Sequence, residues 1–319
     1  MAYYKSKLAS GGTVIGGVDE IPINSKNAYP VVYNNTLYLL TTVIDGAETY
    51  TYLHYWDEKS WHLVHTTTQI KINNYAIPLI FDGRLIVSSS SGLWEWNNTD
   101  WERICALPSK ASDRYPVVYN GKLHLINEAI NTSLSQYWVW DGTDWSTRTN
   151  VIRNLVSTGN YAMQPIVYND CINVFLKQSS NKIWTCRITD DGVTNKSITD
   201  SALFNYIIGA STVVKTKRVE WQGSYQVLPF IYIIGSLNQP QDVRGYWYEA
   251  EGNSAISMKA TSNNAITVGG LPYKAVLFKD KIHFINFADG KHYIFDGEEW
   301  ESGSKTLGTY IKQSTILLK

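Results

Sequence analysis

Residues Tyr115–Trp145 read YPVVYNGKLHLINEAINTSLSQYWVWDGTDW. Two short apolar runs, Tyr115–Tyr119 and Lys122–Asn127, flank Asn120-Gly121, and an Asn-Gly pair between such runs is a strong hairpin signal. A polar stretch follows, then an aromatic strand, Tyr137–Trp140, that runs into Asp141-Gly142-Thr143-Asp144 and a closing Trp145. The stretch therefore predicts four short strands joined by two tight turns and one longer loop.

Imperfect copies recur. The first pairs YPVVY (Tyr29–Tyr33) with TLYLL (Thr36–Leu40) across Asn34-Asn35, then continues as YTYLHYW (Tyr50–Trp56), Asp57–Ser60 and Trp61. The second reads YAIPLIFDGRLIV (Tyr75–Val87) and LWEWNNTDWERI (Leu93–Ile104). A fourth, Tyr161–Phe175 with Ile183–Val193, keeps the first half and loses the closing Trp, and Tyr273–Asn286 with Tyr293–Trp300 is the last clear copy. Between them, Tyr225–Gly235 and Tyr246–Asn253 suggest a diverged fifth copy, with Ser201–Val214 as an insertion before it. The aromatic ahead of the first turn falls at Tyr33, Phe81, Tyr119, Tyr168 and Phe278, at separations of 48, 38, 49 and 110 residues, the last spanning two repeats.

A period of about 40–50 residues with four strands per unit is the pattern of β-propeller blades. The expected fold is all-β, a propeller of six four-stranded blades, with five or seven as the alternatives if residues 194–272 divide differently. Residues 1–28 stand outside the repeats as an N-terminal arm, 29–319 form the propeller, and Tyr310–Leu318 is a candidate closing strand.

The composition narrows the function. The 28 Lys+Arg balance 28 Asp+Glu, so no global field attracts nucleic acid or an anionic membrane. No apolar run reaches membrane-spanning length and none near the start has the form of a signal peptide, so the expectation is a protein made in the cytosol. The 12 Trp and 22 Tyr fall mostly at repeat positions and read as core. Cys105, Cys171 and Cys186 are too few and odd in number for a disulfide framework and read as small buried residues.

The repeats resemble kelch-type propeller repeats. The likeness lies in NGKLHLIN (Asn120–Asn127) and in YWVWDGTDW (Tyr137–Trp145), HYWDEKSW (His54–Trp61), LWEWNNTDW (Leu93–Trp101) and YIFDGEEW (Tyr293–Trp300). It covers about two thirds of the chain. The kelch diglycine after the second strand is missing, its place held by Thr41-Thr42, Ser89-Ser90, Asn127-Glu128 and Asn286-Phe287. Diverged repeats of this sort look like those of phage tail and baseplate proteins as well as of cellular scaffolds. The resemblance implies a non-catalytic binding or assembly module. As a phage virion or tail component it would contact a cell-surface glycan or neighbouring virion proteins, in several copies on one particle. The alternatives are a cytosolic scaffold for a protein partner and, behind it, a glycan-processing propeller enzyme.

The repeat also separates two faces of the disc. Turns between first and second, and third and fourth, strands are short and share one face. The second-to-third and blade-to-blade connections share the other and vary in length, among them Thr41–Glu48, Ser88–Gly92, Asn127–Gln136, Lys177–Lys182, Ser236–Gly245 and Asn286–Lys291. Variable loops on a rigid frame are where binding resides. The candidate contacts there are Asp45, Glu48, Arg114, Glu128, Lys177, Arg244 and Asp289. Catalytic, metal and cofactor sites are not expected. His62 and His65 point to opposite faces of one strand, and His124 and His283 sit in separate blades. No sialidase S-x-D-x-G-x-x-W box, copper-radical ligand set, phosphate loop or zincin pattern is present. The DGTD and NNTD turns carry too few oxygens for Ca²⁺ and read as hairpin turns.

Overall fold

The computed structural model describes residues 25–45, 48–70, 77–108, 114–127, 136–149, 161–162, 165–177, 183–198, 210–221, 223–236, 242–249, 257–260, 266–267, 274–286, 291–296 and 305–306. These form six antiparallel sheets, in chain order. The first holds β1 (Ser25–Tyr33), β2 (Thr36–Asp45), β3 (Glu48–Trp56) and β4 (Trp61–Thr67). The second holds β5 (Pro78–Phe81), β6 (Arg84–Ser89), β7 (Gly92–Trp96) and β8 (Trp101–Cys105). The third holds β9 (Arg114–Tyr119), β10 (Lys122–Asn127), β11 (Gln136–Trp140) and β12 (Trp145–Thr149).

In the fourth, β13 (Tyr161–Ala162) and β14 (Ile166–Tyr168) both pair with β15 (Cys171–Lys177), followed by β16 (Ile183–Thr189) and β17 (Gly192–Ile198). The fifth runs β18 (Ala210–Trp221), β19 (Ser224–Ser236) and β20 (Asp242–Glu249), with β21 (Ser257–Ala260) and β22 (Ile266–Thr267) both on β20. The sixth holds β23 (Ala275–Phe278), β24 (Lys281–Asn286), β25 (Lys291–Phe295) and β26 (Lys305–Thr306).

The leading strands close a ring. β1 lies against β5, β5 against β9, β9 against β14, β14 against β18, β18 against β23, and β23 against β1. This is a β-propeller with the first strand of each sheet innermost. Pro30, Pro78, Pro116 and Pro165 all stand three residues before the turn aromatic of their sheet. Proline cannot donate to a ladder and belongs on an edge, so these residues suit a strand whose free side faces the ring axis.

Alternation along each strand feeds two cores at once. In the first sheet, Leu37 and Leu39 join Trp56, Trp61, Phe278 and Ile285 against the sixth sheet. Leu40 and Leu53 turn the other way and meet Leu85, Val87, Trp94, Trp96 and Trp101 of the second. Ile86 and Leu93, on the opposite face of that sheet, pack on Leu123, Leu125, Trp138 and Trp140 of the third.

Five of the innermost hairpins turn on pairs with positive φ at both residues: Asn34-Asn35, Asp82-Gly83, Asn120-Gly121, Asn169-Asp170 and Lys279-Asp280. These are type I′ turns, which match the strand twist.

Some expectations shift. β1 takes in Ser25–Ala28 from the segment placed outside the repeats. Thr41–Ile44 belong to β2 rather than to a loop, and Thr41 and Thr42 are buried. Ala210–Val214 are not an insertion but the start of β18, the missing first strand of the fifth sheet. That strand was hidden because its second half, KTKRVEW, is too polar to read as core. Lys215 reaches the β23–β24 turn through Asp280 (2.6 Å), so the β18–β19 hairpin beyond it runs past the ring, with Tyr225 and Val227 each 66% exposed. Cys171 is a buried free thiol and Cys105 is half-exposed. The candidate closing strand at 310–318 and most of the arm lie outside the described residues.

One buried charge sits at the inner rim. Lys274 holds the position occupied in the first three sheets by Tyr29, Ile77 and Tyr115, and its Nζ donates to the Pro78 carbonyl of the second sheet. Burial pushes this amine down to about 7 from 10.5. An unfolded lysine keeps its proton up to its ordinary value, so stability rises with pH from about 7 to 10.5 and is lowest below that window. Lys274→Met should therefore raise the unfolding free energy at pH 7 by about 1–3 kcal/mol, net of the orphaned carbonyl, with the gain shrinking towards pH 10 in denaturant titrations. Asp170→Gly, which makes an Asn-Gly turn where φ is already 51°, should add about 0.5–1 kcal/mol in the same measurement.

Candidate functional site

The two faces of the ring do different work. On the short-turn face, the β3–β4, β7–β8 and β11–β12 turns share one construction. Asp57, Asn97 and Asp141 each accept two backbone N–H bonds through Oδ1, from Lys59 and Ser60 (2.8 and 2.7 Å), Thr99 and Asp100 (3.0 and 2.9 Å), and Thr143 and Asp144 (both 2.9 Å). The second residue takes positive φ in each, at Glu58, Asn98 and Gly142. The Ser60 N–H bond, then the His62 ring and the Lys59 N–H, hold the Asp57 carboxyl well below the usual range. The Asp144 and Thr143 amides lower Asp141 in the same way. These oxygens are spent on backbone, which leaves the acidic turns a structural role.

The same face is clasped from sheet to sheet. Asn120 Nδ2 donates to Asp190 (2.7 Å), Tyr119 Oη to the Asp170 carbonyl (2.8 Å), Lys215 to Asp280, and Lys279 pairs with Glu58. His65 of β4 meets Asp100 of the next sheet's turn at 3.1 Å.

On the loop face, the junction of the first two sheets is the best-defined polar cluster. Ser89 and Ser91 hydroxyls lie 2.8 Å apart across the β6–β7 turn. Ser91 Oγ donates to the Gln69 carbonyl (3.2 Å) on the chain leaving β4 and accepts the Trp94 indole N–H (3.0 Å). Thr51 ties that exit down through the Ile70 carbonyl (2.9 Å). Gly92, at φ 138°, lets Arg103 lie against the turn: a Cβ there would sit 2.7 Å from both Arg103 Nε and the Cys105 carbonyl oxygen. The result is a shallow, neutral-to-basic patch of hydroxyl, carbonyl and guanidinium groups, with Arg103, Gln69 and Ser90 exposed.

The sequence-derived contacts are spread around this face rather than gathered. Asp45 and Glu48 are register partners across the β2–β3 connection, and Glu48 accepts a bond from the Tyr50 hydroxyl. Arg114 opens β9 opposite Asn127, and Lys177 closes β15 opposite Ile183. Arg244 lies within β20 opposite Gly235, in strand and not in loop. Glu128 and Asp289 lie outside the described residues. Among the described residues, no group of three or more His, Cys, Asp or Glu is placed to hold a metal ion.

No family model matches the chain, and no curated protein matches it in sequence. Solved structures do match in fold. AofleA from Arthrobotrys oligospora superposes with a TM-score of 0.54 at 13% identity, over 90% of this chain and 86% of that one. A mutant of the Aleuria aurantia lectin in complex with Fucα1-6GlcNAc gives 0.52 at 12% identity, over 92% and 99%. The same lectin with α-methyl-L-fucoside gives 0.50 at 13%, over 92% and 98%. At such identities the likeness shows the fold alone, an all-β propeller.

Gly92→Ala should lower the unfolding free energy by about 1–3 kcal/mol, because both the backbone conformation and the Cys105 carbonyl oppose a Cβ. Gly83→Ala, where φ is 71° with nothing near the added carbon, should cost less in parallel denaturation curves.

Proposed function

We propose that the chain is a non-catalytic carbohydrate-binding module, each of its six sheets one blade, and that glycans bind on the loop face. The observation that carries this reading is the Ser89–Ser91–Gln69 cluster, fixed by hydrogen bonds at the junction of two sheets, with Arg103 lying against its turn at Gly92. Hydroxyl, carbonyl and guanidinium groups on a preorganised frame suit a polyhydroxylated ligand, since little ordering entropy is lost on binding. Support comes also from the superposed Aleuria aurantia lectin structures, which hold fucosides. Asp45 and Glu48 on the first sheet would widen this surface, and Arg114, Lys177 and Arg244 would carry it to the third, fourth and fifth. Several weak sites on one ring would act through avidity.

A place on a phage virion or tail, with neighbouring virion proteins as partners, is the finer reading, and it rests on the kelch-type repeats. A protein made in the cytosol and carried on a particle would fit it.

A glycan array probed with the purified protein tests the proposal. Fucosylated glycans should be among the ligands retained. Arg103→Ala should weaken the best ligand at least about tenfold by titration calorimetry, while Lys59→Ala, on the short-turn face, should leave it unchanged. A folded protein that retains no glycan, or a Lys59→Ala loss equal to that of Arg103→Ala, would overturn the reading.

A further inference from the structure

Arg103 brings a positive charge to the loop-face junction of the first two sheets, and the local structure fixes where that charge sits. It stands opposite Trp94 in register, and the pairing steps just beyond it, so that Ile104 has no partner on β7. A bulge of this kind re-aims the side chains beside it. The Arg103 side chain lies against Gly92, whose missing Cβ leaves the room: an added carbon would meet Nε at 2.7 Å and Cζ at 3.5 Å. Ser91, the residue before Gly92, holds its hydroxyl between the Gln69 carbonyl, the Trp94 indole and Ser89.

The carboxylates nearest in the strands are engaged elsewhere. Glu102, the neighbour of Arg103 in β8, alternates to the other side of the strand and accepts the Asn97 amide. Glu95 holds Arg84 at 3.1 Å, and Glu48 of the first sheet accepts the Tyr50 hydroxyl. Among the described residues no ion pair involves Arg103. By sequence, the connections beyond Ile70 and Pro108 carry Lys71, Lys110 and Asp113, and so add no net negative charge. Exposed acids gather instead on the opposite face, where Asp57, Asp82, Asp100, Asp141, Asp190 and Asp280 each stand in a tight turn. Those charges lie at the other end of the strands from Gly92, which leaves the field at the patch to the guanidinium.

We propose that this patch selects sugars that carry a carboxylate. A guanidinium offers its N–H donors in a planar fork that a carboxylate matches with two parallel bonds. The hydroxyls of the same sugar then meet Ser91 and Gln69, whose side chains both donate and accept. A neutral sugar can reach the fork only through hydroxyl oxygens, which are weaker acceptors than an ionised carboxylate. Arg103 is exposed, so salt screens the charged contact and the preference for the acid is largest at low ionic strength. The inference rests on the glycan-binding reading above and adds to it the charge of the ligand.

Polymers displaying sialyllactose, a glucuronic acid-terminated disaccharide, sulfated lactose or lactose, bound to the immobilised full chain at low salt, read the preference by biolayer interferometry. At least one of the two carboxylate sugars should bind at least about tenfold tighter than lactose, and the one that does so assigns the source of the carboxylate. Its methyl ester, which keeps the ring and loses the charge, should fall to the level of lactose on the wild-type protein. Arg103→Gln should erase the preference, and Arg103→Lys, which keeps the charge without the fork, should restore only part of it. Carboxylate sugars bound no tighter than lactose, an ester equal to its acid, tight binding of sulfated lactose alone, or a preference unchanged in Arg103→Gln each overturn this inference and leave glycan binding standing. A folded protein that retains none of the four polymers and no glycan on an array overturns both.

Discussion

Every sheet in this protein has to bury both of its faces, and the rest of the architecture follows from that requirement. A four-stranded sheet with apolar residues on both sides cannot be stable alone. Leu39 and Leu40 are adjacent in sequence and lie in different cores, one shared with the last sheet and one with the second. Stacking satisfies both faces of each interior sheet but leaves the two ends bare. Closing the stack into a ring removes the ends, which is why β1 meets both β5 and β23. The ring then forces the innermost strands together at an axis, where the proline edge of each sheet is tolerated.

Closure also divides the two faces. Tight turns need special backbone conformations, and the chain supplies them with Asn, Asp and Gly at positive φ. Those residues are then committed to backbone bonds and to sheet-to-sheet clasps such as Asn120–Asp190. A face so committed has little freedom to vary. The opposite face carries connections whose ends are fixed by strand register, at Asp45↔Glu48 or Ser89↔Gly92, while their own residues are free to differ. Binding chemistry is cheapest to place there because substitutions do not disturb the ring.

Much of this division is legible from the amino acids alone. The turn pairs, the Trp before and after the four-residue turns of the first three sheets, and the alternation of Lys122–Asn127 all announce strands with one register. The fifth sheet was harder for a physical reason: the second half of β18, KTKRVEW, carries charged residues where a core strand would alternate apolar ones, so the apolar alternation that marks a strand is lost. The candidate site was only half legible. The serine run Ser88–Ser91 marked a connection, but the partner that completes the patch, Arg103, sits on the strand after next and reads as ordinary surface charge. Gly92 was the available clue, since a glycine at the start of an otherwise aromatic strand implies a close approach.

The joint between the first and last sheets differs from the others in how the chain reaches it. Neighbouring sheets are linked by short connections, whereas Glu58 and Lys279 are 221 residues apart. Loop closure costs grow slowly with length, by about 0.6 kcal/mol per doubling, so the long separation is affordable but not free. Among the described residues no strand is shared across this joint: β1–β4 come from one end of the sequence and β23–β26 from the other. Among the described residues it is held by side chains, through Leu37, Leu39, Trp56, Trp61, Phe278 and Ile285.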